Sequence, residues 1–187
     1  MTDERNTTDD AHAHGDDARA ETVAHKPSNQ EKSTLWWALI CVPTVVAVGL
    51  VIGQLSGSGE SDPWFAALQK PEFYPPGWLF GVAWTILYAL MGFALALVAA
   101  SDRREGKAAA IGIFFAQLAV NYAWSPIFFG AHLIGVAFFW IVLLLALVMA
   151  TMAYFARVSR LGALLLVPYL AWVAFAATLN LRIWQLN

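Results

Sequence analysis

The chain has 187 residues, of which 59% are apolar and only 13% are charged. Soluble domains carry about a quarter charged residues, so this composition argues against an ordinary soluble enzyme and favours an integral membrane protein. The single cysteine, Cys41, excludes an intramolecular disulfide and a multi-cysteine metal site, and without a basic patch a nucleic-acid partner is not expected.

Residues 1–32 form a polar segment with eight acidic and four basic residues. It has too few large apolar side chains to offset the entropy cost of ordering, so we expect a disordered acidic tail. His12, His14 and His25 lie in this tail, where no preformed geometry would hold a metal ion. We therefore interpret them as solubilising residues and assign the transmembrane domain to residues 33–187.

Five apolar stretches follow, each close to the roughly 20 residues that a helix needs to cross a bilayer. They run over residues 35–55, 77–100, 108–129, 133–155 and 161–184. They are too long for barrel strands and lack a two-residue alternation. The predicted fold is an all-α integral membrane protein, a five-transmembrane-helix bundle with a long loop between helices 1 and 2.

Basic residues near the span ends predict the orientation. Lys70 and Arg182 would lie on one side of the membrane. The other side would hold Lys26, Lys32, Arg103, Arg104, Lys107, Arg157 and Arg160. By the positive-inside rule the N-terminus lies in the cytoplasm. The lack of a cleavable leader and of barrel strands favours the bacterial cytoplasmic membrane.

The long first loop, residues 56–76, carries a large aromatic load and several prolines. Pro75 and Pro76 suit the start of a helix, and water alone would not tolerate so many rings. We expect this segment to fold over the bundle as a lid, with Trp64 and Trp78 in or beside it. The alternative for both tryptophans is an interfacial aromatic belt.

Several polar side chains lie too deep for such a belt. Trp84 and Trp172 are far from the ends of the second and fifth spans. In the third span, Gln117 and Asn121 are four residues apart and share one helix face, with Trp124 a turn further on. Carboxamides in hydrocarbon need a neighbouring helix or a ligand. The alternatives are that the indoles merely pack and the carboxamides merely join helices.

The fifth span places Pro168, Trp172, Ala176 and Leu179 along one stripe. A proline kink and a small residue leave room beneath the lid. Together with the deep indoles and carboxamides, this predicts an aromatic-walled cavity suited to a flat, largely apolar ligand.

Two further patterns bear on function. The opposite face of the third span carries small residues at four-residue spacing, Ala108, Gly112 and Ala116, which favours a homodimer through this face. No Asp, Glu, Lys or His lies deep inside a span, which argues against a proton-coupled transporter or a cation channel. No nucleophile with an adjacent base is visible.

Three motifs resemble one known family. The run WFAALQKP begins at Trp64 and continues through PPGW to Tyr88; NYAWSP begins at Asn121; and VPYLAWVAFAA begins at Val167 and leads to Asn180. They resemble the TspO/MBR family of tryptophan-rich sensory proteins, related to the mitochondrial translocator protein or peripheral-type benzodiazepine receptor. The resemblance implies a five-helix bundle, often dimeric, whose first loop closes a pocket for porphyrins, sterols or isoquinoline carboxamides.

By motif position, the resemblance implies that Trp84 and Asn121 are the polar contacts of that pocket. The residues that it implies as lining are Phe65, Pro75, Trp124, Trp172, Ala176 and Leu179. The chain departs from the family pattern at Phe73 and Tyr74, where tryptophan and threonine are common. It also has Leu181 where the sterol-recognition pattern expects tyrosine.

The leading hypothesis is a membrane receptor or carrier for porphyrin-type ligands, acting in tetrapyrrole sensing, transport or stress signalling. No resident cofactor or metal is expected, because porphyrin or haem would be the ligand. The alternatives are a light-driven porphyrin-degrading enzyme and a non-catalytic membrane scaffold.

Overall fold

A computed structural model of the chain describes residues 29–59 and 62–187. Within these ranges the regular structure is helical, in the order given by the following bounds. The helices are α1 (Asn29–Leu55), α2 (Pro63–Ala67), α3 (Gly77–Ala100), α4 (Lys107–Ser125), α5 (Ile134–Val158), α6 (Arg160–Leu164) and α7 (Val167–Leu186), with a π-helical turn at Pro126–Gly130 after α4. Helix α1 includes residues 29–32, which the sequence assigns to the tail; the rest of the predicted tail lies outside the described residues.

Five helical segments are long and apolar enough to cross a membrane, and they agree with the five predicted stretches. The third includes the π-helical turn, and the fifth combines α6 with α7. In hydrocarbon a helix satisfies its own backbone groups, which is why such runs fold as helices. The predicted fold class, an all-α integral membrane bundle, is confirmed.

Helices α1 and α3 pack backbone against backbone. A Cβ atom on Gly92 would lie 2.6 Å from the Val42 Cα and 2.9 Å from the Cys41 carbonyl oxygen. Gly49 makes the reciprocal approach, since its Cβ would meet the Tyr88 ring at 2.3 Å. Small residues therefore allow the close contact that drives helix association in a membrane. The Cys41 side chain is buried in this seam.

The turn between α3 and α4 is held by basic side chains. Lys107 donates from its ammonium group to the carbonyl oxygens of Ala99 and Ser101, which have no partner further along α3. Arg103 donates to the Arg157 carbonyl oxygen at 2.9 Å and so ties this turn to the end of α5.

Two prolines interrupt the later helices. Pro126 has no N–H to continue α4, and the chain widens into a π-helical turn in which the Ala131 N–H donates to the Pro126 carbonyl at 2.8 Å. Pro168 lies in the first turn of α7, just after the break from α6 at residues 165–166. The fifth span is thus broken rather than gently kinked, because proline cannot donate to the carbonyl four residues earlier.

The bundle has one large apolar core and a smaller one at the lid end. Helix α3 is the most buried span, α4 and α7 both pack on α5, and α1 packs on α3. The smaller core consists of Phe65, Phe128, Ala137, Leu179 and Ile183. It fixes α2 above the open end of the bundle, where the cavity described next is found.

Candidate ligand cavity

A cavity of about 320 Å³ lies beneath the lid, between α1, α3, α4 and α7. This volume is at the lower end of the range of small-molecule sites. Seven of the eight predicted ligand-binding residues line it: Phe65, Trp84, Asn121, Trp124, Trp172, Ala176 and Leu179. The geometry thus brings side chains from the lid and from three spans around one space.

Pro75 is the predicted lining residue that does not border this cavity. It borders a separate groove on the outer side of the bundle, between α3 and α7. The chain turns into α3 at this point, so the backbone of Gly77, and not the Pro75 ring, reaches the cavity.

The lid is a short helix whose buried side chain closes the cavity. Asp62 caps α2 by accepting from the Phe65 N–H at 2.9 Å, and Phe65 itself is only 4% exposed. The Lys70 ammonium group donates to the Phe65 carbonyl at 2.8 Å and lies 4.6 Å from the Phe65 ring centroid. A cation over an aromatic face is attracted by it, so Lys70 holds both the end of α2 and its key side chain.

A second tether joins the lid to α7. The Asn187 side chain accepts from the Gln69 N–H and donates to the Gln69 carbonyl, both at 3.0 Å. It also donates to the Ile183 carbonyl at 2.8 Å. One carboxamide thus pairs with both backbone groups of a lid residue and fixes its height above the bundle.

The two predicted lid tryptophans lie in different surroundings. Trp64 stacks on His132 with ring centroids 4.0 Å apart and meets Phe128 edge-on at 5.6 Å. Trp78, in the first turn of α3, is 69% exposed and points away from the bundle. Trp64 therefore secures the lid from above, whereas the exposure of Trp78 agrees with the interfacial alternative.

A buried hydrogen-bond chain forms one wall. Tyr88 donates to Asn121 Oδ1 at 3.1 Å, Asn121 Nδ2 donates to the Tyr169 hydroxyl at 3.1 Å, and Tyr169 donates to Gln117 Oε1 at 2.9 Å. The carboxamides therefore do join helices, as the structural alternative expects. Asn121 still keeps one N–H and one lone pair, because an amide offers two of each. Its side chain can serve the bundle and a ligand together.

This chain makes the Tyr169 hydroxyl essential to the bundle. We expect Tyr169→Phe to cost about 1–3 kcal/mol of stability, because it leaves buried Asn121 Nδ2 and Gln117 Oε1 each without a partner. Thermal unfolding in detergent measures the loss. Tyr154→Phe is the matched control, since Tyr154 is exposed. Equal melting temperatures for both variants would contradict the structural role of the chain.

Other polar atoms around the cavity are covered by protein and unsatisfied. Trp124 Nε1, Trp172 Nε1 and Asn180 Oδ1 have no hydrogen-bond partner among the residues that the structure describes. Leaving a buried polar atom unmade costs about 1–3 kcal/mol. By contrast, Trp140, the other deep tryptophan, donates to the Val120 carbonyl at 2.8 Å. The unsatisfied polar atoms thus concentrate on the cavity wall.

The sequence interpretation missed several wall residues. Tyr88 and Phe128 each follow a predicted wall tryptophan by four residues, so helical spacing from Trp84 and Trp124 would have found them. Tyr74 also lines the cavity and stacks on Phe80 at 5.4 Å. Only the folded loop reveals this contact, since no helical period governs the lid.

Comparison with known proteins places the chain in a family. The model of the TspO/MBR family matches residues 40–185. The chain belongs to the TspO/MBR family. The match covers all the cavity-lining spans of this TspO/MBR protein.

Curated relatives agree. The chain is 41% identical to the human translocator protein over 143 residues, covering 75% of this chain and 85% of that protein. It is 40% identical over 154 residues to the tryptophan-rich protein TspO of Chlorobaculum tepidum, covering 79% and 94% respectively. It is 39% identical over 128 residues to the tryptophan-rich sensory protein of Cereibacter sphaeroides, covering 68% and 79%.

Proposed function

We propose that this TspO/MBR protein is a membrane receptor or carrier that binds a porphyrin or another tetrapyrrole in the cavity beneath its lid. The observation that carries the proposal is the cavity itself, enclosed by indoles and bordered by one carboxamide with spare hydrogen-bonding capacity. A flat macrocycle would stack against Trp84 and Trp172, and Asn121 would orient its polar edge. Sensing, transport or stress signalling would follow from occupancy.

Ligand-dependent melting tests this function. A ligand that binds only the folded state stabilises it by about 2.7 kcal/mol at a concentration of one hundred times its Kd. We therefore expect protoporphyrin IX to raise the melting temperature by several degrees and to quench tryptophan emission. If no tetrapyrrole and no sterol shifts the melting temperature, the non-catalytic scaffold is the better interpretation. New porphyrin products formed under light would instead favour the degrading enzyme.

Membrane placement and assembly belong to the same proposal. The protein would lie in the bacterial cytoplasmic membrane with its N-terminus in the cytoplasm, so that the lid faces the outer side. A homodimer would form through Ala108, Gly112 and Ala116. All three are exposed on the outer face of α4, and a Cβ on Gly112 would meet no atom within 4 Å among the described residues. A second copy would find space there for close backbone contact.

A further inference from the structure

A second concavity lies on the outer surface of the bundle, in the seam between α3 and α7. It has a volume of about 550 Å³ and almost no polar surface. Its walls include Leu79, Ala83 and Ile86 from α3 and Pro168, Ala171 and Phe175 from α7. Because α3 and α7 both belong to membrane-spanning segments, this groove opens toward bilayer hydrocarbon.

One side chain separates this groove from the ligand cavity. Trp172 borders both spaces, with Phe80 on one side at 5.8 Å between ring centroids and Phe175 on the other at 5.6 Å. The partition between the membrane side and the cavity is therefore about the width of an indole ring.

Several features make this partition movable. Trp172 Nε1 is covered but has no hydrogen-bond partner among the described residues, so no polar bond holds the ring in place. Its neighbours Ala171 and Ala176 are small. The helix break at residues 165–166 lies less than two turns away. In addition, α3 packs mainly on α1 and α7 mainly on α5, so the α3–α7 seam is the lightly packed one.

The lid side, by contrast, is tied down. Asn187 pairs with Gln69, Lys70 holds the end of α2, and Trp64 stacks on His132. Passage of an apolar ligand through that end would break several polar contacts, whereas the α3–α7 seam offers only apolar contacts.

We propose that the α3–α7 groove is a lateral portal through which a hydrocarbon-soluble ligand passes from the bilayer into the cavity, with Trp172 as its gate. The proposal rests on the proposed function for the identity of the ligand and adds the route. When the indole swings aside, its unsatisfied N–H becomes available to an acceptor on the entering molecule. Trp172 is thus a gate as well as a wall.

Blocking the groove without touching the cavity tests the route. The protein is reconstituted in lipid nanodiscs, and protoporphyrin IX binding is followed by stopped-flow quenching of tryptophan emission. Ala171→Phe and, from the opposite wall, Ala83→Phe fill the groove, and neither residue lines the cavity. We expect association and dissociation to slow together about tenfold with little change in Kd, because a plug raises one barrier that is crossed in both directions.

Two further variants complete the kinetic experiment. Ala146→Phe is the matched control, since Ala146 is exposed at mid-span on α5, away from both spaces. Asn187→Ala loosens the lid. The portal predicts unchanged rates in both. Unchanged rates in the two groove variants, with faster rates in Asn187→Ala, would place the route under the lid and overturn the proposal.

A ligand-free readout separates the portal from the function. Lipids brominated in their acyl chains quench tryptophans that they touch, and Trp172→Phe reveals the share of quenching that belongs to Trp172. We expect Ala171→Phe to remove that same share and Ala146→Phe to leave it. Quenching unaltered by either Trp172→Phe or Ala171→Phe would overturn the portal. Absence of porphyrin binding by the unaltered protein would refute the proposed function alone, and lipid quenching would still decide the route.

Discussion

Replacing Trp172 by Phe and Asn121 by Ala in one variant is expected to weaken porphyrin binding about thirtyfold, since an aromatic contact and a hydrogen bond of about 1 kcal/mol each are lost. The two side chains come from α7 and α4 and meet at one cavity, so the losses should combine. Equilibrium quenching of tryptophan emission by protoporphyrin IX measures the change, with the signal calibrated for the missing indole.

Two comparison variants distinguish lost contacts from lost structure. Trp140→Phe removes an indole that bonds to the Val120 carbonyl and does not line the cavity, so affinity should stay the same. Tyr169→Phe breaks the hydrogen-bond chain behind Asn121 while the cavity wall keeps its side chains. It should lower the melting temperature more than the affinity. Native affinity in the double variant would move the ligand to another site.

Gly92→Ala is expected to destabilise the protein by about 1–3 kcal/mol or more, because the new methyl group meets backbone and not a flexible side chain. Its Cβ would lie 2.6 Å from the Val42 Cα, so α1 and α3 must separate. The seam that opens continues to Gly49 and Tyr88, which line the cavity. Thermal unfolding measures the loss of stability.

Gly81→Ala is the matched control on the same helix. No atom of the described residues lies within 4 Å of the Cβ that it would add, and alanine favours a helix by about 1 kcal/mol over glycine. It should therefore melt at or above the native temperature. If Gly92→Ala did the same, the close approach of α1 and α3 would be refuted.

The spans could be predicted from the sequence because hydrophobic length alone determines them. The deep positions of Trp84, Asn121 and Trp172 also predicted a shared cavity, since a polar group in hydrocarbon must find a partner or an enclosed space. The structure brings these three side chains together. The ligand that the cavity would hold stays a proposal.

What could not be predicted depends on which helices are neighbours. The hydroxyls of Tyr88 and Tyr169 reach Asn121 from α3 and α7, and no periodicity within one span reveals such partners. The lid is similar: its contact with Asn187 joins positions far apart in the chain. Pro75 was expected in the pocket by motif position, yet its place depends on how the backbone turns into α3.

The burial of Cys41 in the seam between α1 and α3 has a practical consequence for spectroscopy. It is the chain's only cysteine, and its thiol is covered by the helix that packs on it. Thiol-directed reagents should therefore leave the native chain unlabelled. A cysteine introduced on the lid or in the groove would then carry a spin label or fluorophore uniquely, with no need to remove the native thiol.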